Sequence, residues 1–175
     1  MCNTYDLPIK KLKMTIFQQL AIAHETHQYE AAQLAQAKAR VEAAAKNAFD
    51  DKFMHLMTRV IKPYFDECLI DMVKTGYIGD EEAGNDGSHD FAGLLFLPGK
   101  EIHASLHSDQ SCSFRLTAYQ ETNDVEWTST FDKRAPDSAG VERGRIDVYE
   151  VDRGRLDTLV SEFFKKSFGA RQARP

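Results

Sequence analysis

All ten glycines of this 175-residue chain fall at Gly76 or later. Glycine is the residue that reaches the left-handed conformations of tight turns without a steric penalty, so the first 75 residues lack the usual means of reversing sharply. From Ile9 to Lys62 there is no proline either, and 11 of the 28 residues from Ala21 to Ala48 are alanine, the best helix former. This half is expected to be helical. Asp6, before Leu7 and Pro8, offers a start, because an Asp side chain accepts from free N–H groups and proline is tolerated in a first turn.

Ile16, Leu20, Leu34 and Val41 share one helical face, and Leu20, His27, Leu34, Val41 and Ala48 recur every seven residues. The alternate seam positions are mostly small or polar. Such a narrow, alanine-rich stripe suits close packing of one helix on another, in the manner of a coiled coil. Unbroken, the 54 residues from Ile9 to Lys62 would extend about 80 Å, longer than a domain of this size is wide. The expectation is either an arm that pairs with another chain or a hairpin that turns near Lys46–Asn47, with Asp50 capping the second helix. Phe49, Phe53, Leu56, Met57, Val60 and Tyr64 recur at helical spacing and are expected in the core. Pro63 should kink or restart the helix, and Gly76 should end it.

The stretch 79–90 is rich in Gly, Asp and Glu and reads as an acidic linker between a helical arm or hairpin (1–78) and a sheet-plus-helix part (91–175). Residues 63–90 carry a net charge of −7, against +3 before them and −1 after, within a total of −5. Beyond the linker the hydrophobic period becomes two, which predicts strands at 91–97, 101–108, 112–120, 125–131 and 145–151. The connections are too short for crossover helices, so the strands should form an antiparallel meander. Residues 152–168 read as an amphipathic helix packed on the sheet. Asp152 caps it, Val151 and Leu156 form a hydrophobic staple, and Gly169 ends it. The expected class is α+β: a long N-terminal helical arm or hairpin, a five-stranded antiparallel meander and a closing helix.

His24-Glu25-Thr26-His27 begins like HExxH, but position 28 is Gln28 where that zinc chemistry needs a second histidine. The acids at 79–90 do not follow EF-hand spacing. Glu101, His103, His107 and Asp109 would share one face of the expected strand and could support general-base chemistry. A polar outer sheet face accounts for them as well, and no nucleophile or oxyanion signature accompanies them. The repeated Arg-Gly-Arg at 143–145 and 153–155 could clamp an anion, but acids flank it. Lys165, Lys166, Arg171 and Arg174 form a basic tail that could meet an anionic partner, but it has no interleaved stacking aromatic beyond Phe168. Three cysteines without a CxxC pair read as reduced thiols.

No cofactor or metal is expected. No apolar run is long enough for a membrane span, no signal peptide is recognised, and nucleic-acid binding is not expected. The favoured function is a non-enzymatic, cytoplasmic assembly or adaptor module. It would act by self-association or by binding a protein partner through the seam of Leu20, Leu34 and Val41. The alternative is a small-ligand-binding domain or enzyme built on Glu101, His103, His107 and Asp109.

Overall fold

A computed structural model of the protein describes residues 14–100 and 105–173. The architecture is α+β: helix α1 (Ile16–Leu56), a π-helical turn (Met57–Ile61), helix α2 (Lys62–Thr75), strands β1 to β5, and helix α3 (Arg153–Ala173). The chain divides into two units, residues 1–44 and 45–175, with the boundary inside α1.

Helix α1 runs through Lys46–Asn47 without the turn of a hairpin. No glycine or proline interrupts it, and the alanines around the site favour continuation. Asp50 consequently does not cap a second helix and instead accepts a hydrogen bond from the Gln120 side-chain amide. The start of α1 is fixed by Thr15 and Gln18. Thr15 N donates to Gln18 Oε1 (3.0 Å) and Gln18 N donates to Thr15 Oγ1 (3.2 Å), a reciprocal capping box. The start expected at Asp6–Pro8 lies outside the described residues. Pro63 sits in the first turn of α2, directly after the π turn, in which Lys62 N–H reaches back to Met57 O. A wider turn there accommodates a residue that has no N–H and whose ring crowds the carbonyl four residues earlier. At the other end of α2, Gly76 is left-handed (φ 79°) and its N–H caps the last turn.

The sheet is a meander in sequence order, with every neighbouring pair antiparallel. Its first strand, β1 (Ile78–Asn85), occupies most of the expected linker and pairs residue for residue with β2 (Asp90–Leu97). An edge strand needs no apolar alternation, and charged side chains protect its free backbone from pairing with other chains. That is why Asp80, Glu81 and Glu82 did not read as a strand. Only 86–89 remain as a connecting turn. There Asp86 Oδ1 accepts from Ser88 N (3.3 Å) and His89 N (3.1 Å).

The strand expected at 101–108 is absent over its described part. Residues 105–111 form serine-centred turns in which Ser105 Oγ accepts from His107 N (3.2 Å) and Ser108 O accepts from Ser111 N (3.3 Å). Strands β3 (Cys112–Tyr119) and β4 (Asp124–Thr130) follow the predicted alternation, and β3 alternates strictly between buried and half-buried residues. The fifth strand is Val141–Asp147, earlier than the expected 145–151. Asp147 then turns the chain by accepting from Tyr149 N (2.8 Å).

Within the unit 45–175, one sheet face is covered by the end of α1, by α2 and by α3. Phe49, Phe53, Phe65 and Phe163 meet Leu94, Phe114, Leu116 and Val125 in a single core. Phe65 packs edge-on against Phe114 at 6.4 Å, whereas Phe49 and Phe53 stack with parallel rings. Asp152 caps α3 through Arg155 N (2.7 Å), and Val151 and Leu156 are both buried as a staple requires. The helix does not stop at Gly169 but continues to Ala173. Glycine weakens a helix interior by only about 1 kcal/mol relative to alanine. A hydrogen bond from Arg171 to Gln110 ties down the extra turn.

Candidate functional site

The apolar side chains of α1 divide sharply along its length. Phe49, Phe53 and Leu56 are at most 3% exposed, whereas Leu20 is 65% exposed, Leu34 74% and Val41 69%. Ile16, Phe17, Ile22 and Tyr29 are exposed as well. Two heptad rows share the face that carries the seam: Leu20, His27, Leu34 and Val41 in one, and Ile16, Ala23, Glu30, Ala37 and Ala44 in the other. Every member of both rows is exposed. The seam residues singled out from sequence therefore lie together on one helix within the unit 1–44. The histidines add no chelating site: His24 Nε2 lies 2.9 Å from the Gln28 amide nitrogen. Among the described residues, no group of three His, Cys, Asp or Glu side chains is placed to hold a metal ion.

The polar set expected on one strand is not assembled over its described part. His107 and Asp109 are exposed on the turns before β3, and Glu101 and His103 lie outside the described residues. The basic tail is also engaged within the fold. Lys165 pairs with Glu162 (2.7 Å), Lys166 donates to Glu142 (2.6 Å to Oε2), and Arg171 donates to Gln110 Oε1 (3.4 Å). Arg174 lies outside the described residues. The two Arg-Gly-Arg repeats do not converge: Arg145 lies near Glu126 and Asp124 on β4, while Arg153 pairs with Glu67 on α2.

One feature of the unit 45–175 was not anticipated. An open apolar groove of about 370 Å³ lies between α2 and α3, lined by Cys68, Met72, Tyr77, Phe96, Phe164 and Phe168. Phe96 anchors its floor, 5.1 Å from the Phe164 ring and 5.2 Å from that of Phe168. Burial pushes the Cys68 thiol above its ordinary pKa, offset in part by a hydrogen bond with Tyr64. The same loss of water raises the Tyr64 phenol, whose hydroxyl donates to Asp157 (3.1 Å). Both groups are protonated and neutral at physiological pH, so the groove presents no nucleophilic thiolate. Among the described residues, no helix is long and apolar enough to cross a membrane. No protein-family model matches the chain, and no curated protein or solved structure matches it either.

Proposed function

We propose that this protein is an assembly module that self-associates through residues 16–44 of α1. The observation that supports this is the row of bulky apolar side chains at heptad spacing, exposed on an alanine-rich helix whose Phe49, Phe53 and Leu56 are fully buried. Covering each Leu, Ile or Val side chain contributes about 1.5–3 kcal/mol. A second identical helix does this with a repeat that matches its own. Light scattering on the full chain at low micromolar concentration tests the proposal. A dimer or larger assembly is expected, and Leu34→Glu, at an exposed side chain, should return it to a monomer with unchanged sheet content. A monomeric wild-type mass removes the proposal.

A second reading is favoured by the groove of Met72, Tyr77, Phe96 and Phe168. Its volume and apolar lining fall in the range of small-molecule sites. Under that reading the unit 45–175 binds an apolar or aromatic small molecule. Titration with an environment-sensitive apolar dye should give saturable binding that Met72→Glu abolishes. Fluorescence unchanged by the protein counts against it.

A further inference from the structure

The two seam rows are unlike, and that difference bears on the direction of pairing. We infer that the α1 helices of two copies pack antiparallel, with Leu20, His27, Leu34 and Val41 of one copy set against Ala44, Ala37, Glu30 and Ala23 of the other. This rests on the self-association proposed above and specifies its geometry.

In a parallel, in-register pair, each row faces its own copy. Leu20 would meet Leu20 and Val41 would meet Val41, but the layers at Ala23, Ala37 and Ala44 would each hold alanine twice over. Wide layers would then alternate with empty ones along two helices that can keep only one separation. The same arrangement would put Glu30 against Glu30 and His27 against His27, with like charge or desolvated polar groups at the centre of the seam. Reversing one helix brings each row against the other row. Every layer then holds one large and one small side chain, except at Glu30, whose methylenes can lie along Leu34 while its carboxylate reaches the solvated edge. All of these positions are exposed in the single chain and free to be covered.

Charge gives a second, independent argument. Between Ile16 and Leu34 the helix carries Glu25 and Glu30 and no Lys or Arg, whereas from Ala35 to Ala48 it carries Lys38, Arg40 and Lys46 against Glu42. An antiparallel pair lays the acidic half of each helix on the basic half of the other. A parallel pair lays like on like at both ends.

Cysteine cross-linking reads the direction. Leu20→Cys and Ala44→Cys are made separately in the full chain, at exposed positions where neither change disturbs the core. A disulfide requires Cα atoms roughly 4.4–6.8 Å apart, so it reports direct apposition. After mild oxidation of the equimolar mixture, mass spectrometry should find a disulfide joining positions 20 and 44, distinct from any formed by Cys2, Cys68 or Cys112. Neither variant alone should form a bond between its own introduced cysteines. A 20-to-20 bond in the Leu20→Cys protein overturns the antiparallel assignment. No 20-to-44 bond in a mixture that light scattering shows to be dimeric overturns the register, with self-association intact. A monomeric wild-type chain overturns both the inference and the reading beneath it.

Discussion

Trp127 on β4 and Gly144 on β5 are register partners, and the indole covers the glycine so closely that a Cβ there would stand 2.6 Å from Trp127 Nε1. Gly144 is the central residue of the first Arg-Gly-Arg repeat. Its role is to leave room for the only tryptophan in the chain. Gly144→Ala should therefore overpack the β4–β5 pair and destabilise the protein by roughly 1–3 kcal/mol. Thermal unfolding should show the loss, accompanied by a shift in tryptophan emission in the folded state. An unchanged midpoint would mean that the indole gives way at no cost to the β4–β5 pair.

Acid should weaken the unit 45–175 through identifiable carboxylates. Hydrogen bonds from the Arg153 side chain hold the Glu67 pKa below its ordinary value, and those from Lys165 do the same for Glu162. The backbone N–H groups of His89 and Ser88 depress Asp86. A carboxyl group whose pKa is lower in the folded state supplies stability that is complete above its unfolded-state pKa and is lost as pH falls through the folded-state value. Stability should hold at neutral pH and decline below about pH 4.5, the ordinary glutamate value. Glu67→Gln should make the decline shallower, modestly because both partners are exposed and salt screens them. A decline of equal steepness in the variant would remove Glu67 from this account.

The two described cysteines should be slow to alkylate. Burial raises the pKa of Cys68 and, more enclosed still, of Cys112, whose thiol donates to Phe131 O (3.2 Å). With little thiolate at neutral pH, iodoacetamide should modify both far more slowly in the native protein than in urea, and Cys112 more slowly than Cys68, which borders the open groove. Peptide mass mapping over time measures this. Rapid native modification of Cys112 would show that the β3 end of the core opens readily.

What could be read from sequence divides along physical lines. Strand β3 was legible because one face of Cys112–Tyr119 is buried and the other is not, which enforces alternation. Gly76 and Asp152 were legible because left-handed caps and side-chain caps have strong residue preferences. Strand β1 was not, since an edge strand owes its pairing to the neighbouring strand rather than to its own pattern. His107 and Asp109 would share a face only on a strand, and the turns built by Ser105 and Ser108 replace the strand there. Leu20, Leu34 and Val41 lie on one helix, so their common face follows from the seven-residue spacing alone. The groove was hidden because Cys68 and Met72 meet Phe164 and Phe168 only after the whole sheet has folded between them.

The capping box at Thr15 and Gln18 links the end of α1 to the proposed assembly. Those two residues satisfy backbone donors at the turn that presents Ile16 and Leu20, the first large side chains of the seam. Thr15→Ala removes the Oγ1 acceptor for Gln18 N and should cost about 1 kcal/mol of helix stability. Part of that cost falls on association, because a frayed first turn must be reordered before Ile16 and Leu20 can pack against another helix. The expected outcome is a small loss of helical circular dichroism and a dissociation constant raised about three- to five-fold, with the thermal midpoint of the sheet-containing unit unchanged. Thr15→Ser keeps the acceptor and should restore both properties. An equal weakening by serine and alanine would show that Thr15 acts through its methyl group rather than as a cap.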